Sequence, residues 1–219
     1  MSYEKPLSYS SMSLYKQCPR RWAWSYIEGN WEAASPAAAR GTRIHQAIED
    51  FFNGKTTFPS GVKELAPWQS RLEALVAHSP VAEGEIAVDQ SWVVCGYRDE
   101  RAYVRGKVDL TFAHHETGHH HIIDWKTGKE YPNHVEQGQI YTAMAPDAET
   151  SVVQFWYIDQ PHIIREWAYS HADQLIFREK WTETVEAIRS ATEYPATPSD
   201  KCTWCPLSWR KGGECKRAR

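Results

Sequence analysis

Long apolar runs are missing from this sequence, and their absence argues against a membrane protein. None of its segments approaches the roughly 20 consecutive apolar residues that cross a bilayer. The N-terminal segment MSYEKPLSYSS lacks a basic part followed by an apolar one, so we expect no signal peptide and a cytoplasmic location. The 42% of hydrophobic residues and the 24% of charged residues are typical of a globular chain with a buried core.

A general excess of positive charge is also missing. The formal net charge is -3 at pH 7, so no global basic field indicates a nucleic-acid partner. Basic residues are nevertheless concentrated in the last nineteen positions, where Glu214 is the single acid: Lys201, Arg210, Lys211, Lys216, Arg217 and Arg219. Arg20 and Arg21 belong to a second concentration near the start. This uneven distribution is compatible with an acidic site that has cations around it.

Cysteine is scarce and odd in number, with five residues in the chain. An odd count in an intracellular-looking chain argues against disulfides and makes metal ligation the alternative to test. Cys202, Cys205 and Cys215 lie in a short loop-like tail, and Cys18 lies near the start. Four thiolates suit an iron–sulfur cluster or a structural zinc ion, and a site without metal stays open as well. Cys95 falls in a strand-like segment, where a buried apolar role is expected.

Apolar periodicity and turn residues predict a chain of alternating helices and strands. Ser35 and Pro36 mark the start of a helix that continues to about residue 53. The elements predicted after it are a strand-rich stretch, a crossover helix, two strands and a long helix: 85–125, 132–145, 152–158, 163–169 and 171–191. The long helix is expected to be amphipathic, with its inward face formed by Leu175, Ile176, Trp181, Val185 and Ile188. The histidine-rich stretch from His114 to His121 reads as an exposed hairpin tip, with adventitious metal binding as the alternative. We expect one α/β domain over residues 1–219.

Two aspartates and a lysine carry the strongest chemical signal. Asp109 follows Gly106 in one predicted strand, and Asp124 stands two residues before Lys126 in the next. Residues two apart share one face of a strand, so Asp124 and Lys126 are expected to point to the same side. Carboxylate oxygens are the ligands that Mg²⁺ prefers, and a bound metal ion lowers the pKa of a water ligand. Taken alone, the Asp-x-Lys spacing is short and common, and solvated residues at a hairpin explain it better.

A longer ordered set of short motifs changes this balance. Its pieces follow one another along nearly the whole chain: Leu7 to Tyr15, Cys18 to Trp22, Gly41 to Glu49, Gly106 to Leu110, Asp124 to Gly128 and Gln137 to Tyr141. The set resembles the RecB-like branch of the PD-(D/E)XK nuclease superfamily. The resemblance implies a restriction-endonuclease-like α/β core, in which a central mixed β-sheet is flanked by helices. It also implies a helical N-terminal segment and a Cys-rich C-terminal tail.

The resemblance further implies a site for Mg²⁺ or Mn²⁺. His45 would bind the metal ions through neutral imidazole, and Asp109 and Asp124 would bridge or flank them. The backbone carbonyl of Trp125 would add a ligand, and Lys126 would be the catalytic lysine. Taken alone, a histidine such as His45 is usually a hydrogen-bonded helix residue.

Further residues are expected around this site. By the resemblance, Gln137 and Tyr141 would face the site from the crossover helix and either contact DNA or orient Lys126. Arg20 and Arg21, with the tryptophans beside them, are candidates for guiding single-stranded DNA. Packing beneath the cysteines is the alternative for this stretch. Glu85 is a candidate for an additional acid.

The cysteines resemble those of iron–sulfur nucleases in the same branch, including CRISPR-associated adaptation nucleases and AddB-type helicase–nucleases. In these proteins a [4Fe–4S] cluster joins the two ends of the nuclease domain. The resemblance therefore implies a cluster on Cys18, Cys202, Cys205 and Cys215, with Zn²⁺ as the alternative. Residues 1–35 and 195–219 would then form a cysteine-clamped flank.

Together these features predict a metal-dependent deoxyribonuclease that processes DNA ends in recombination or repair in a bacterium or phage, and an exonuclease is favoured over an endonuclease. The alternative is an inactive nuclease fold that serves as a DNA-binding or scaffold module. DNA is the expected partner in both hypotheses, with a helicase, recombinase or single-strand-binding protein as a candidate protein partner. No membrane association is expected, and the oligomeric state stays open.

Overall fold

The computed structural model describes residues 3–216, which fall into two compact units. One unit combines the two ends of the chain, Met1–Ala33 with Lys180–Arg219, and the other consists of Ala34–Glu179. Arg217 and Arg219 of the basic tail lie outside the described residues. Within residues 3–216, no helix combines the length and the apolar character of a membrane span.

The secondary structure alternates much as the sequence predicts. The strands are β1 (Val81–Val88), β2 (Val104–Ala113), β3 (His120–Lys126), β4 (Thr150–Tyr157) and β5 (Ile164–Ser170). The α-helices are α1 (Tyr9–Gln17), α2 (Pro19–Tyr26), α3 (Pro36–Phe52), α4 (Gln69–Leu75), α5 (His134–Met144) and α6 (His171–Ser190). Short 3-10 helices cover Lys63–Trp68, Val76–His78, Asp200–Trp204 and Trp209–Lys211.

A mixed sheet forms the centre of the unit Ala34–Glu179. Its five strands are ordered β1-β2-β3-β4-β5, and each pair of neighbours is antiparallel except β3 and β4. A parallel pair requires a crossover connection, and α5 provides it between β3 and β4. The predicted α/β fold with a central mixed sheet and flanking helices is therefore confirmed.

Capping and close packing fix the two helices that matter for the site. Ser35 caps α3 by accepting a hydrogen bond from the Ala38 N–H at 3.2 Å, and Pro36 fills the first helical position. In α5, a Cβ at Gly138 would lie 3.1 Å from the Val153 side chain, so glycine lets this helix approach β4 closely. The cap therefore fixes where α3 begins, and the glycine allows α5 to pack closely on the sheet.

The core beside α3 is apolar and rich in aromatic rings. Ile44 and Ile48 of α3 are buried together with Leu110 and Ile123 of the sheet. Trp68 and Trp156 stack with their ring centroids 5.2 Å apart, and both belong to the same cluster. This packing anchors the helix face next to the residues that carry the site chemistry.

In the unit Met1–Ala33 with Lys180–Arg219, aromatic residues surround one buried tryptophan. Trp22 of α2 is 0% exposed, and its Nε1–H donates to Ser11 Oγ at 3.0 Å. Rings of Tyr15, Tyr26 and Tyr194 lie around it with centroids within 6 Å. Trp22 is therefore a core residue, and guiding single-stranded DNA is the wrong interpretation for it.

Three local predictions are wrong. The stretch from Trp92 to Cys95 forms a single bridge between Val88 and Val94 instead of a strand, and Trp92 has a left-handed φ of 60°. Cys95 is partly exposed instead of buried. On α6, Leu175 and Ile176 were expected to face inward, but they are 51% and 60% exposed.

The histidine-rich stretch is not an isolated loop tip. The ring of Phe112 stacks on both His78 and His121 at 4.8 Å, and His114 lies 4.8 Å from His78 and 5.6 Å from His121. Burial, together with the neighbouring His114, lowers the pKa of His121 to about 4. His121 therefore packs as a neutral ring among the aromatic side chains at this end of the β2–β3 hairpin.

This packing predicts a loss of stability in mild acid. An unfolded histidine titrates near pH 6.5, above the folded value of about 4 for His121, so the unfolded state takes up protons first as the pH falls. We expect the free energy of unfolding, measured with urea, to fall by about 1–3 kcal/mol between pH 6.5 and 4 on account of this group. His121→Gln should flatten this part of the curve, and a curve unchanged by the substitution would contradict the assignment.

Candidate active site and cysteine cavity

Asp109 lies where β2 and β3 separate. Backbone pairing between these strands ends at Leu110 and Ile123. Beyond that point the Asp109 Oδ2 atom accepts a hydrogen bond from the Trp125 N–H at 2.6 Å, so a side chain replaces the missing ladder partner. The Asp109 side chain is 12% exposed. Strand separation thus opens the site, and Asp109 is fixed at its edge.

Asp124 and Lys126 share one face at the end of β3, as their spacing predicts. Asp124 Oδ1 lies 2.6 Å from Lys126 Nζ, and Asp124 is 3% exposed. Its other oxygen, Oδ2, accepts hydrogen bonds from Gln137 Nε2 at 3.1 Å and from the Tyr141 hydroxyl at 3.0 Å. Gln137 Oε1 in turn accepts from Lys126 Nζ at 2.6 Å. Two residues of α5, one turn apart, therefore orient both the carboxylate and the ammonium.

His45 reaches the same site from α3. Its Nδ1 atom lies 3.1 Å from Asp109 Oδ1. Gly41 is one turn earlier, and a Cβ there would lie 2.9 Å from Thr127 Oγ1, so glycine allows α3 to approach the end of β3. Glu49, one turn after His45, hydrogen-bonds to other side chains of α3. Asp109 is therefore the partner that orients the imidazole.

Glu83 is a site residue that the sequence did not single out. Candidate ligand atoms of Glu83, His45 and Asp109 all lie within 4.8 Å of one another. The β1–β2 pairing skips Glu83 and Asp109, and Glu83 adopts a left-handed φ of 49°. Such a conformation costs of order 1–3 kcal/mol in a non-glycine residue and is found mostly where function requires it. Glu85, the acid named from the sequence, instead lies 3.8 Å from Lys107 with its side chain 46% exposed.

Negative charge accumulates at this site and shifts its pKa values. Burial, reinforced by Asp124, raises the pKa of Asp109, and burial with Asp109 raises that of Glu83. Burial alone would lower the pKa of His45, but the hydrogen bond and charge of Asp109 raise it above its usual value. Neighbouring carboxylates contribute to each of these shifts, and a divalent cation would neutralise that part of the negative potential.

A cleft of about 670 Å³ opens over these ligands. Its walls include small side chains on α3, among them Ala38, Gly41 and Thr42, and its floor includes His45 and Asp109. Small residues on one wall leave room for a polymer backbone to approach the carboxylates. Hard oxygen ligands and one imidazole are a donor set that fits Mg²⁺ or Mn²⁺.

The four cysteines predicted to bind metal line one narrow cavity in the unit formed by the chain ends: Cys18, Cys202, Cys205 and Cys215. Within residues 3–216, no three of their sulphur atoms approach within 4.8 Å of one another. Backbone N–H groups of Thr197 and Ser199 donate to the sulphurs of Cys18 and Cys202 at 3.5 and 3.3 Å. Burial raises the pKa of the Cys205 thiol, and Cys18 and Cys202 add to the rise.

The arginines predicted to contact DNA are engaged with acids. Arg20 pairs with Glu28 at 2.6 Å and also with Glu214, and Arg21 pairs with Glu32 at 2.9 Å. Each guanidinium is therefore neutralised locally, so a DNA phosphate would have to compete with a carboxylate already in place. Their role in DNA binding stays a prediction.

Two largely buried aspartates and a lysine lie together where two strands separate, and a helix histidine approaches them, which is an arrangement compatible with a metal-dependent nuclease. The chain belongs to the PD-(D/E)XK nuclease superfamily, whose sequence model matches residues 6–210. No curated protein gives a significant sequence match. Among solved structures, that of SSO0001 is similar over 95% of this chain and 86% of that chain, with 15% sequence identity and a TM-score of 0.47.

Proposed function

We propose that this protein is a RecB-like deoxyribonuclease that hydrolyses DNA from its ends, using Mg²⁺ or Mn²⁺. The proposal is carried by one observation: His45 and Asp109, which line the cleft, lie close enough to the Asp124–Lys126 pair for the charge of Asp124 to raise the pKa of Asp109. DNA ends arise during recombination and repair, and we propose that the protein acts in one of these processes.

The metal ions would be held by His45, Asp109, Asp124 and the Trp125 carbonyl, and we add Glu83 to this set because of its position beside His45 and Asp109. Bound divalent cations supply a water molecule of lowered pKa and neutralise charge on the phosphodiester. Before the cations bind, the protein has to stabilise several carboxylates that repel one another. The hydrogen bond from the Trp125 N–H stabilises the Asp109 carboxylate.

Lys126 is the cationic group of the proposed site. Its ammonium is held between Asp124 Oδ1 and Gln137 Oε1, both at 2.6 Å, and lies over the Phe155 ring at 5.1 Å from the centroid. From this position it would orient the attacking water by hydrogen bonding and stabilise the negative charge that develops on the phosphate. Gln137 and Tyr141 would act as positioning residues.

The direct experiment compares end-labelled linear DNA with closed circular DNA. Purified protein is incubated with each substrate in Mg²⁺, in Mn²⁺ and in chelator. We expect metal-dependent release of label from linear DNA and no cut in the circle. Cleavage of the circle would replace the exonuclease assignment by an endonuclease, and the absence of cleavage with either metal would refute the proposed function.

Glu83 and Glu85 provide a matched pair for the ligand set. They are two positions apart on β1, but only Glu83 lies beside His45 and Asp109. We expect Glu83→Gln to weaken Mn²⁺ binding roughly 10–100-fold, measured as the Mn²⁺ concentration for half-maximal cleavage and by calorimetry. Glu85→Gln should match wild type. Equal behaviour of the two variants would remove Glu83 from the site.

The four cysteines of the chain ends are proposed to bind a [4Fe–4S] cluster, with Zn²⁺ as the alternative. One observation supports a shared metal centre: the four thiols line the same cavity. The backbone N–H groups that donate to the sulphurs of Cys18 and Cys202 would influence the reduction potential of such a cluster. Residues 1–35 and 195–219 would then be the clamped flank of one nuclease domain.

A further inference from the structure

Two exposed indole rings mark the C-terminal tail of the unit that contains the chain ends. Trp204 is 72% exposed at the end of the 3-10 helix Asp200–Trp204, and Trp209 is 55% exposed at the start of the next one. Large aromatic side chains are normally buried, because each removes much apolar area from water. Two indole rings exposed within six positions therefore indicate a surface that binds a ligand with flat apolar faces.

Basic side chains surround these rings. Lys201, Arg210 and Lys211 are all exposed on the same two 3-10 helices, and Arg210 lies over the Trp209 ring at 5.8 Å from its centroid. Two acids belong to the same segment: Glu214 is paired with Arg20, and Asp200 begins the first of the two 3-10 helices. The surface thus offers aromatic faces and positive charge together, and its charge complements a phosphate backbone.

Local contacts hold this surface in place. Lys211 Nζ donates to the Trp204 carbonyl at 3.1 Å and so links the two short helices. The chain then closes back through the Ser208–Cys215 bridge, with Cys215 N–H donating to the Leu207 carbonyl at 2.8 Å. An indole held in this way loses less conformational freedom on binding than one on a mobile tail.

We propose that Trp204 and Trp209, with Lys201 and Arg210, form a binding surface for single-stranded DNA, on which unpaired bases stack while the cations contact phosphates. Every base has a π-face, so such a surface tolerates any sequence. In a duplex these faces are occupied by base stacking, which is why the surface selects single strands. The proposal names the substrate form for the nuclease proposed above and rests on that function.

The test measures binding without cleavage. Fluorescein-labelled dT20 and a blunt duplex of equal length are titrated with protein in chelator, and anisotropy gives the dissociation constant at several salt concentrations. For dT20 we expect Trp204→Ala and Trp209→Ala each to raise the Kd at least about fivefold, with Trp204→Phe and Trp209→Phe close to wild type. The double variant Lys201→Gln/Arg210→Gln should lower the slope of log K against log salt by about 1.4.

Trp31 is the matched control. It is 66% exposed in the same unit, but it lies next to Glu32, which pairs with Arg21. Trp31→Ala should leave dT20 binding unchanged, and the duplex should respond less than twofold to Trp204→Ala and Trp209→Ala. The proposal is overturned if wild type does not bind dT20, if the alanine variants bind it as wild type does, or if duplex binding falls equally. Wild type that binds dT20 without cleaving DNA would refute the nuclease and leave this surface standing.

Discussion

Asp124→Asn is expected to reduce DNA cleavage roughly 10³-fold or more, because it removes one metal-binding charge and the counter-ion of Lys126 together. The Oδ2 position, where Gln137 and Tyr141 donate, can still be filled by the asparagine oxygen. The amide nitrogen then faces the Lys126 ammonium, which lies 2.6 Å from the carboxylate in the native site. The substitution therefore keeps the size of the side chain and weakens the attraction of the site for cations.

The measurement is the initial rate on linear DNA at saturating Mn²⁺, with thermal unfolding recorded in parallel. Asp147→Asn is the matched control, since Asp147 is a surface residue, 68% exposed, that pairs with Arg178. An exposed ion pair contributes about 1 kcal/mol or less, so this variant should cleave as wild type does. A folded Asp124→Asn protein that retains cleavage within tenfold of wild type would exclude Asp124 from the reaction.

The residues whose placement follows from regular periodicity could be predicted from the sequence. Asp124 and Lys126 are two apart on a strand, and Gln137 and Tyr141 are four apart on a helix, so each pair shares a face in any fold. His45 could be placed on its helix for the same reason. Periodicity does not say which helices and strands lie next to one another. The order of the motifs along the chain was therefore needed to predict that these five residues are neighbours.

Glu83 was missed because its position depends on an irregular backbone. Strand alternation puts Glu83 and Glu85 on one face, so spacing gives no reason to choose between them. The left-handed φ of Glu83 and the skipped pairing with β2 turn only this carboxylate towards Asp109. Irregularity of this kind arises from the contacts of β1 with its neighbour and leaves no pattern in the chain.

The inward face of α6 was misread because one buried residue is polar. Gln174 is 1% exposed and donates to the carbonyls of Thr142 and Ala145, both at 2.9 Å. It satisfies carbonyl groups at the end of α5, the helix that carries Gln137 and Tyr141. Apolar periodicity assigns such a position to solvent, and the predicted face therefore shifted onto Leu175 and Ile176.

Cys202→Ser is expected to release the proposed metal centre and loosen the unit formed by the chain ends. Cys18 and Cys202 are 184 positions apart, and a clip across a loop of this length restricts the unfolded chain by about 5 kcal/mol. Without it, the tail that carries Trp204 and Trp209 depends on a few hydrogen bonds and the burial of Leu207. We expect loss of visible absorption and of bound iron, and cleavage of the tail by protease roughly tenfold faster.

Cys95→Ser is the matched control, since Cys95 belongs to the other unit and lies outside the cysteine cavity. It should retain the full metal content and the protease resistance of wild type. If the wild-type protein is colourless and contains zinc, and if Cys202→Ser loses that zinc, the site binds a single zinc ion instead of a cluster. The sulphurs would then have to move closer together when the ion binds. The four thiols have no metal-binding role if two results are obtained together. Wild-type protein purified without oxygen would contain neither iron nor zinc, and Cys202→Ser would resist protease as well as Cys95→Ser does.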